Sequence, residues 1–188
     1  MELTKEKNGF RITVRDITYI GVFAAIIVVM AQLSIPMPAG VPMTMQTFAI
    51  TLAAVVLGAK LSTFASLVYI LLGAIGLPVL ANFTGGFEKF IGPTGGFLLS
   101  FPIMAFIIGL GVDYGKKFGF IYLIALVLGT VMNYVVGLAM FCALTGGTVM
   151  AGLTACVIPY IPTAIIKAVL ATVIGFQIRK RLIAAGLL

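Results

Sequence analysis

Histidine and tryptophan are absent from this chain of 188 residues, and only five residues are acidic. Without histidine, and with Cys142 and Cys156 both set among apolar residues, the parts for a metal site or an ordinary catalytic triad are missing. The two thiols read as unpaired and buried. None of the acidic residues falls inside a long apolar run, so a proton relay through a membrane lacks its carboxylate. The phosphate cradle GxxxxGK[ST] is also absent: "GVDYGKKF" has the GK pair without the spacing or the hydroxyl residue. An enzyme and a self-powered pump are therefore both disfavoured.

Charge is scarce as a whole, at 9% of residues, while 62% are hydrophobic and the mean hydropathy is +1.23. Soluble domains carry about 25% charged residues, and a soluble fold of this length could not hide so much apolar surface. The composition predicts an all-α integral membrane protein, a single membrane domain over residues 1–188. Residues 1–16 form a polar N-terminus that does not resemble a secretory signal, because the apolar stretch after it is too long. Residues 17–178 are expected to form a six-helix bundle, and 179–188 a basic C-terminal tail. The spans are placed at Ile17–Ile35, Thr44–Leu57, Leu61–Ile75, Gly96–Val112, Phe118–Leu144 and Pro159–Ile178. The second and third are short for a full crossing and resemble helices that begin or end in protein-lined space.

The basic residues orient this bundle. With the N-terminus cytoplasmic, Lys5, Lys7, Arg11, Arg15, Lys60, Lys116, Lys117, Arg179, Lys180 and Arg181 all fall inside, Lys89 outside and Lys167 within a span. Both termini are then cytoplasmic and the protein is a multi-pass cell-membrane protein. The net charge of +7 reports orientation and contact with anionic membrane lipid; there is no basic face or reading motif for nucleic acid. The glycine-rich segment "ANFTGGFEKFIGPTGGF", Ala81–Phe97, becomes the outer loop between helices 3 and 4.

Lys167 is the leading candidate for a binding group. It lies about 12 Å along the sixth span from Pro159. An amine at that depth needs a cavity or an anionic partner, and no acidic residue of the spans supplies one. A ligand carboxylate is the simplest partner; snorkelling to the outer headgroups is the alternative. Asn133 and Tyr134, mid-span in helix five, and Gln46, at the start of helix two, are either ligand contacts or interhelical hydrogen bonds. Tyr160 is a ligand contact or an interfacial anchor. On helix one, Gly21, Ala24 and Ala25 are small residues at helical spacing that permit close approach of another helix, inside the bundle or on a partner.

The stretches "VPMTMQT", "GLPV" and "GPTGG", with "PYIPTAIIKAVLA" near the end, resemble the biotin S-component family, BioY, of energy-coupling factor (ECF) transporters. The resemblance covers nearly the whole chain. It implies a six-helix subunit that captures biotin near the outer face. It also implies partners: a transmembrane coupling subunit and two cytoplasmic ATPases that supply energy, with the captured site toppling to face the cytoplasm. No cofactor is implied. Small residues of helix one, here Gly21, Ala24 and Ala25, would pack on the coupling subunit, and the short helices and glycine loop would form a lid. The family pattern IPGDxxK reads "IPTAIIK" here: Lys167 matches the lysine, and Ala164 stands at the aspartate. The family's ligand-contacting loop maps to Asn82–Gly86, with Asn82, Thr84 and Gly86 as candidate contacts. After GPTGG, where some members are polar or basic, this chain has Phe97 and Leu98.

The loss of the aspartate favours a less polar ring, so lipoate, or another sulfur-ring acid, competes with biotin as the expected ligand. A structural or assembly membrane protein with no ligand is the second alternative.

Overall fold

The computed structural model describes residues 12–38, 40–115 and 119–188. Lys5, Lys7, Arg11, Lys116 and Lys117, half of the cytoplasmic basic set read from the sequence, lie outside the described residues.

Helix α1, Val14–Gln32, starts three residues before the expected Ile17 because "TVRD" is a capping box. Asp16 N–H donates to Thr13 Oγ1 at 3.2 Å, and Thr13 N–H donates to Asp16 Oδ2 at 2.9 Å. Helix α2, Gln46–Leu57, is apolar on every side and buries all of its residues except Thr47. Such a helix belongs in the centre, and α2 packs against α1, the next two helices and the last one. At about 18 Å long, it is short because protein surrounds it.

Gly58, at φ +80°, turns α2 directly into α3, Ala59–Ala74. Beyond the glycine-rich loop come α4, Gly95–Tyr114, and α5, Gly119–Thr145, which pack closely together. A short helix α6, Val149–Cys156, and a turn at Ile158–Tyr160 lead to α7, Ile161–Ala184. The expected sixth span at Pro159–Ile178 is thus a longer helix. Residues 146–158, left without structure in the sequence reading, hold an additional helix. Its eight residues are too few to show a period, and its one local signal is Thr148, whose Oγ1 accepts the Ala151 N–H at 3.3 Å. Pro159 prevents α6 and α7 from fusing.

One end of the bundle is knitted by charge. Arg179 donates from Nη1 to Val56 O at 2.8 Å and Val55 O at 3.4 Å, at the end of α2. Its Nη2 lies 3.7 Å from Asp113 Oδ1, and Asp113 Oδ2 accepts the first N–H of α3 from Ala59 at 2.9 Å. These contacts satisfy helix-end groups that have no partner within their own helix. Arg15 Nη1 donates to Gly186 O at 3.3 Å and Tyr19 Oη to Leu187 O at 2.9 Å, which brings the start of α1 to the same end.

The chain is mostly helical, and among the described residues four stretches are long and apolar enough to cross a membrane: α1, α4, α5 and the run Val149–Ala184. The helices α2 and α3 are shorter apolar helices. This is a multi-pass membrane protein.

Candidate functional site

The site lies at the end opposite the charged network. Two short strands, β1 at Ser34–Ile35 and β2 at Met43–Thr44, pair antiparallel with Ser34 opposite Thr44. The hairpin lends backbone carbonyls to α7. Tyr160 Oη donates to Val41 O, and Lys167 Nζ donates to Thr44 O at 2.9 Å. Thr44 Oγ1 donates to Gln46 Oε1 at 2.7 Å, and Gln46 Nε2 donates to Tyr69 Oη on α3. The motif "VPMTMQT" therefore fastens three helices around one point.

The glycine-rich loop folds over that point and is pinned by a residue with no obvious signature. Gln32, at the end of α1, donates from Nε2 to Val79 O and Leu80 O, each at 3.2 Å, and its Oε1 accepts the Phe83 N–H at 2.8 Å. Between these anchors Asn82 and Phe83 have φ of 58° and 53°. Asparagine adopts that region readily; phenylalanine does so at a cost, and such strain persists only where neighbours hold it. Ser34 Oγ donates to Asn82 Oδ1, tying loop to hairpin. Replacing Gln32 by alanine should free this segment. Amide hydrogen exchange over 79–84 should accelerate and ligand affinity should fall about tenfold, since several hydrogen bonds of roughly 1 kcal/mol each are lost. Unchanged exchange would show that the loop is held by something else.

Beneath the loop is a cavity of about 350 Å³, within the usual range for small-molecule sites. Lys167, Gln46, Asn133, Tyr134 and Tyr160 line it from the helices, and Asn82 and Thr84 line it from the loop. Gly86 does not. Its N–H donates to Gly73 O at 2.8 Å, so it fastens the loop to the end of α3. Ala164 does not line it either. It faces a recess of about 10 Å³ below Lys167 and a groove between α5 and α7. That recess shares Thr47, Asn133, Tyr134 and Lys167 with the cavity, so the pattern position borders it.

The two amides differ in availability. Gln46 is held at both ends by Thr44 and Tyr69. Asn133 Nδ2 donates to Ser100 Oγ at 2.7 Å and Phe97 O at 3.0 Å, while its oxygen takes no hydrogen bond within the described residues. Lys167 is 9% exposed and pairs with a neutral carbonyl; among the described residues it has no carboxylate partner. Among the described residues no cluster of acids and cysteines could hold a metal ion. The arrangement suits reversible capture of a polar-ended, largely apolar molecule.

Residues 4–184 match the BioY family as a whole. The chain belongs to the BioY family.

It is 39% identical over 88% of its length to the biotin transporter BioY of Thermotoga maritima, covering 96% of that protein. It is 36% identical over 88% of its length to a probable biotin transporter BioY of Pyrococcus horikoshii, again covering 96% of that chain. The fold is similar to a crystal structure, at 2.1 Å, of the S-component for biotin from an ECF-type ABC transporter, with TM-score 0.79, 29% identity, and coverage of 90% of this chain and 95% of that one. These relatives are transporters or their subunits, not enzymes.

Within this BioY chain several cavity residues escaped the sequence reading. Thr44 and Thr47 sit in "VPMTMQT", and Thr47 Oγ1 is buried with no hydrogen-bond partner among the described residues. Glu88 and Lys89, the charged pair of the loop, both line the cavity, as do Phe97, Phe101 and Cys156. The hydroxyls and aromatics carried no periodic signal that separates lining from packing; the charged pair did, by being the only charge between Lys60 and Asp113. Of the small residues on α1, Gly21 and Ala25 face outward while Ala24 is buried at 3% exposure. An added Cβ on Gly21 would meet nothing within 4 Å.

Proposed function

We propose that this chain is the substrate-capture S component of an ECF vitamin importer and that its ligand is biotin. The observation that carries the reading is a buried ammonium, Lys167, opening into a closed-over cavity and held there by a neutral carbonyl. In this reading α1 to α5 and α7 are six spans, both termini are cytoplasmic, and the glycine loop is the outer lid. Biotin's carboxylate sits on Lys167, and its ureido ring lies under the loop, where Asn82, Thr84 and Glu88 supply acceptors for the ring N–H groups. Aliphatic and aromatic walls at Leu80, Phe97, Leu98 and Phe101 take the thioether ring and tail. Ala164 borders the cavity through the small recess that shares Thr47, Asn133, Tyr134 and Lys167 with it, so lipoate remains the competing ligand. Energy comes from two ATPases through a coupling subunit, with Gly21 and Ala25 on the outward face of α1 as the docking surface and toppling as the delivery step. The absence of a phosphate cradle from the sequence supports dependence on such partners.

A second pose is favoured by one observation: Lys89 lines the same cavity on the loop side. Biotin can lie reversed, with its ureido oxygen on Lys167 and its carboxylate on Lys89.

Titration of the purified chain with biotin, dethiobiotin, lipoate and biotin methyl ester tests both. We expect biotin to bind most tightly and lipoate at least about tenfold more weakly, because loop acceptors are left unpaired by a dithiolane. Equal binding of biotin and lipoate would overturn the ligand assignment. For the pose, the ester penalty should vanish in Lys167→Met if the carboxylate sits there, and in Lys89→Gln if the molecule is reversed.

A further inference from the structure

Helices α5 and α7 stand apart across a groove that runs along the membrane-spanning face. Its central part, about 620 Å³, is walled by aliphatic side chains such as Val127, Val131, Ile165 and Val169. Toward the charged end it continues into a recess of about 820 Å³ that shares Leu123 and Thr172 with it. There the walls change: Arg179 and Lys180 of α7 face Gly115 and Gly119 beside the start of α5. The floor at the junction is closed by the Tyr122 Oη to Thr172 Oγ1 hydrogen bond, 2.6 Å, and by Phe176 edge-on to Tyr122 at 5.0 Å. The result is one continuous recess, hydrocarbon-like along its length and cationic at a single end.

The two cations are not equivalent. Arg179 is committed to the carbonyls of α2 and to Asp113. Asp113 is not part of the recess wall, and its other oxygen is taken by Ala59 N–H. Lys180 is exposed and makes no hydrogen bond or ion pair within the described residues. At Gly119, on the recess wall, an added Cβ would meet nothing within 4 Å among the described residues.

We propose that this recess is a binding site for one anionic phospholipid, with its phosphate on Lys180 and an acyl chain laid along the groove toward Val169. Charge and length both select this occupant. Basic pockets between spanning helices at the cytoplasmic side hold acidic headgroups. One leaflet of hydrocarbon is about 15 Å deep, or roughly ten helical residues, which is the distance from Lys180 to Leu170. A neutral lipid would fill the aliphatic part but leave the ammonium without its counter-charge. The inference rests on these helices spanning a membrane and is independent of which vitamin the other cavity holds.

The test uses the whole chain in nanodiscs of equal phosphatidylglycerol and phosphatidylcholine, released into native mass spectrometry. Wild type should retain one phosphatidylglycerol in preference to phosphatidylcholine. Lys180→Gln should lower that preference about fivefold, and Gly119→Phe, which adds a ring at the recess wall, should abolish retention. Both variants should keep the wild-type Tm. Equal retention of the two lipids by wild type, or a preference untouched in both variants, would overturn the site. So would a preference that follows Arg15→Gln instead of Lys180→Gln.

Discussion

Replacing Lys167 by methionine should weaken biotin binding by at least about thirtyfold. Removing one partner of a buried, hydrogen-bonded charged contact costs about 2–5 kcal/mol, equivalent to roughly thirtyfold to several thousandfold in Kd. Methionine preserves length and apolar volume, so the change isolates the charge and its hydrogen bonds. Lys167 donates to Thr44 O, a carbonyl at the entrance of α2. The loss therefore has two sources: the ligand contact itself and a loosened hairpin. They separate by measuring Tm beside Kd. Loss of the hairpin tie should lower stability by about 1 kcal/mol, whereas the ligand contact should appear only in Kd. Wild-type affinity for biotin in Lys167→Met, with wild-type Tm, would remove the proposed role of the cavity.

The second large effect is expected at the GPTGG motif and is steric. Gly95 and Gly96 open α4, where glycine costs about 1 kcal/mol relative to alanine. The packing accounts for that cost. A Cβ on Gly96 would sit 2.6 Å from Val136 O and 3.0 Å from Gly137 Cα on α5. A Cβ on Gly95 would run into the carbonyl oxygen of Phe90. These are backbone atoms that no rotamer change can move, so either alanine must push α4 away from α5 or from the loop. Gly96→Ala should destabilise the protein by about 3 kcal/mol, the upper range of overpacking. It should also lose biotin binding, because Phe97 and Asn133, which line the cavity, sit at that crossing. Gly21→Ala, with open space around its Cβ, should stabilise the protein by up to about 1 kcal/mol and leave ligand affinity unchanged. A Gly96→Ala protein that melts like wild type would refute the close-approach account.

The motif thus divides its labour in a way its letters do not announce. Gly92, Pro93 and Thr94 line the cavity, while Gly95 lets the loop backbone at Phe90 come close and Gly96 lets α4 touch α5. The loop shows the same division. Asn82 and Thr84 line the cavity, Gly86 secures the backbone, and Gln32, remote in sequence, holds the left-handed pair in place.

Composition and the lengths of the apolar runs alone determined that this is a helical membrane protein, where its long apolar helices lie, and that Lys167 is a cation without an acid beside it in the chain. Those are properties of transfer from water to hydrocarbon, which each segment expresses independently of the others. Tertiary structure decided which residues surround that cation. It brought Lys89, Glu88 and Thr47 to the cavity, turned Ala24 inward, put Ala164 on a small side recess, and set α2 at the centre where a short helix suffices. It also left α5 and α7 parted over a groove with a basic end. These outcomes depend on how helices cross and how loops close between residues far apart in the chain. In a sequence so uniformly apolar, the hydropathy of one residue does not distinguish a neighbouring helix from lipid.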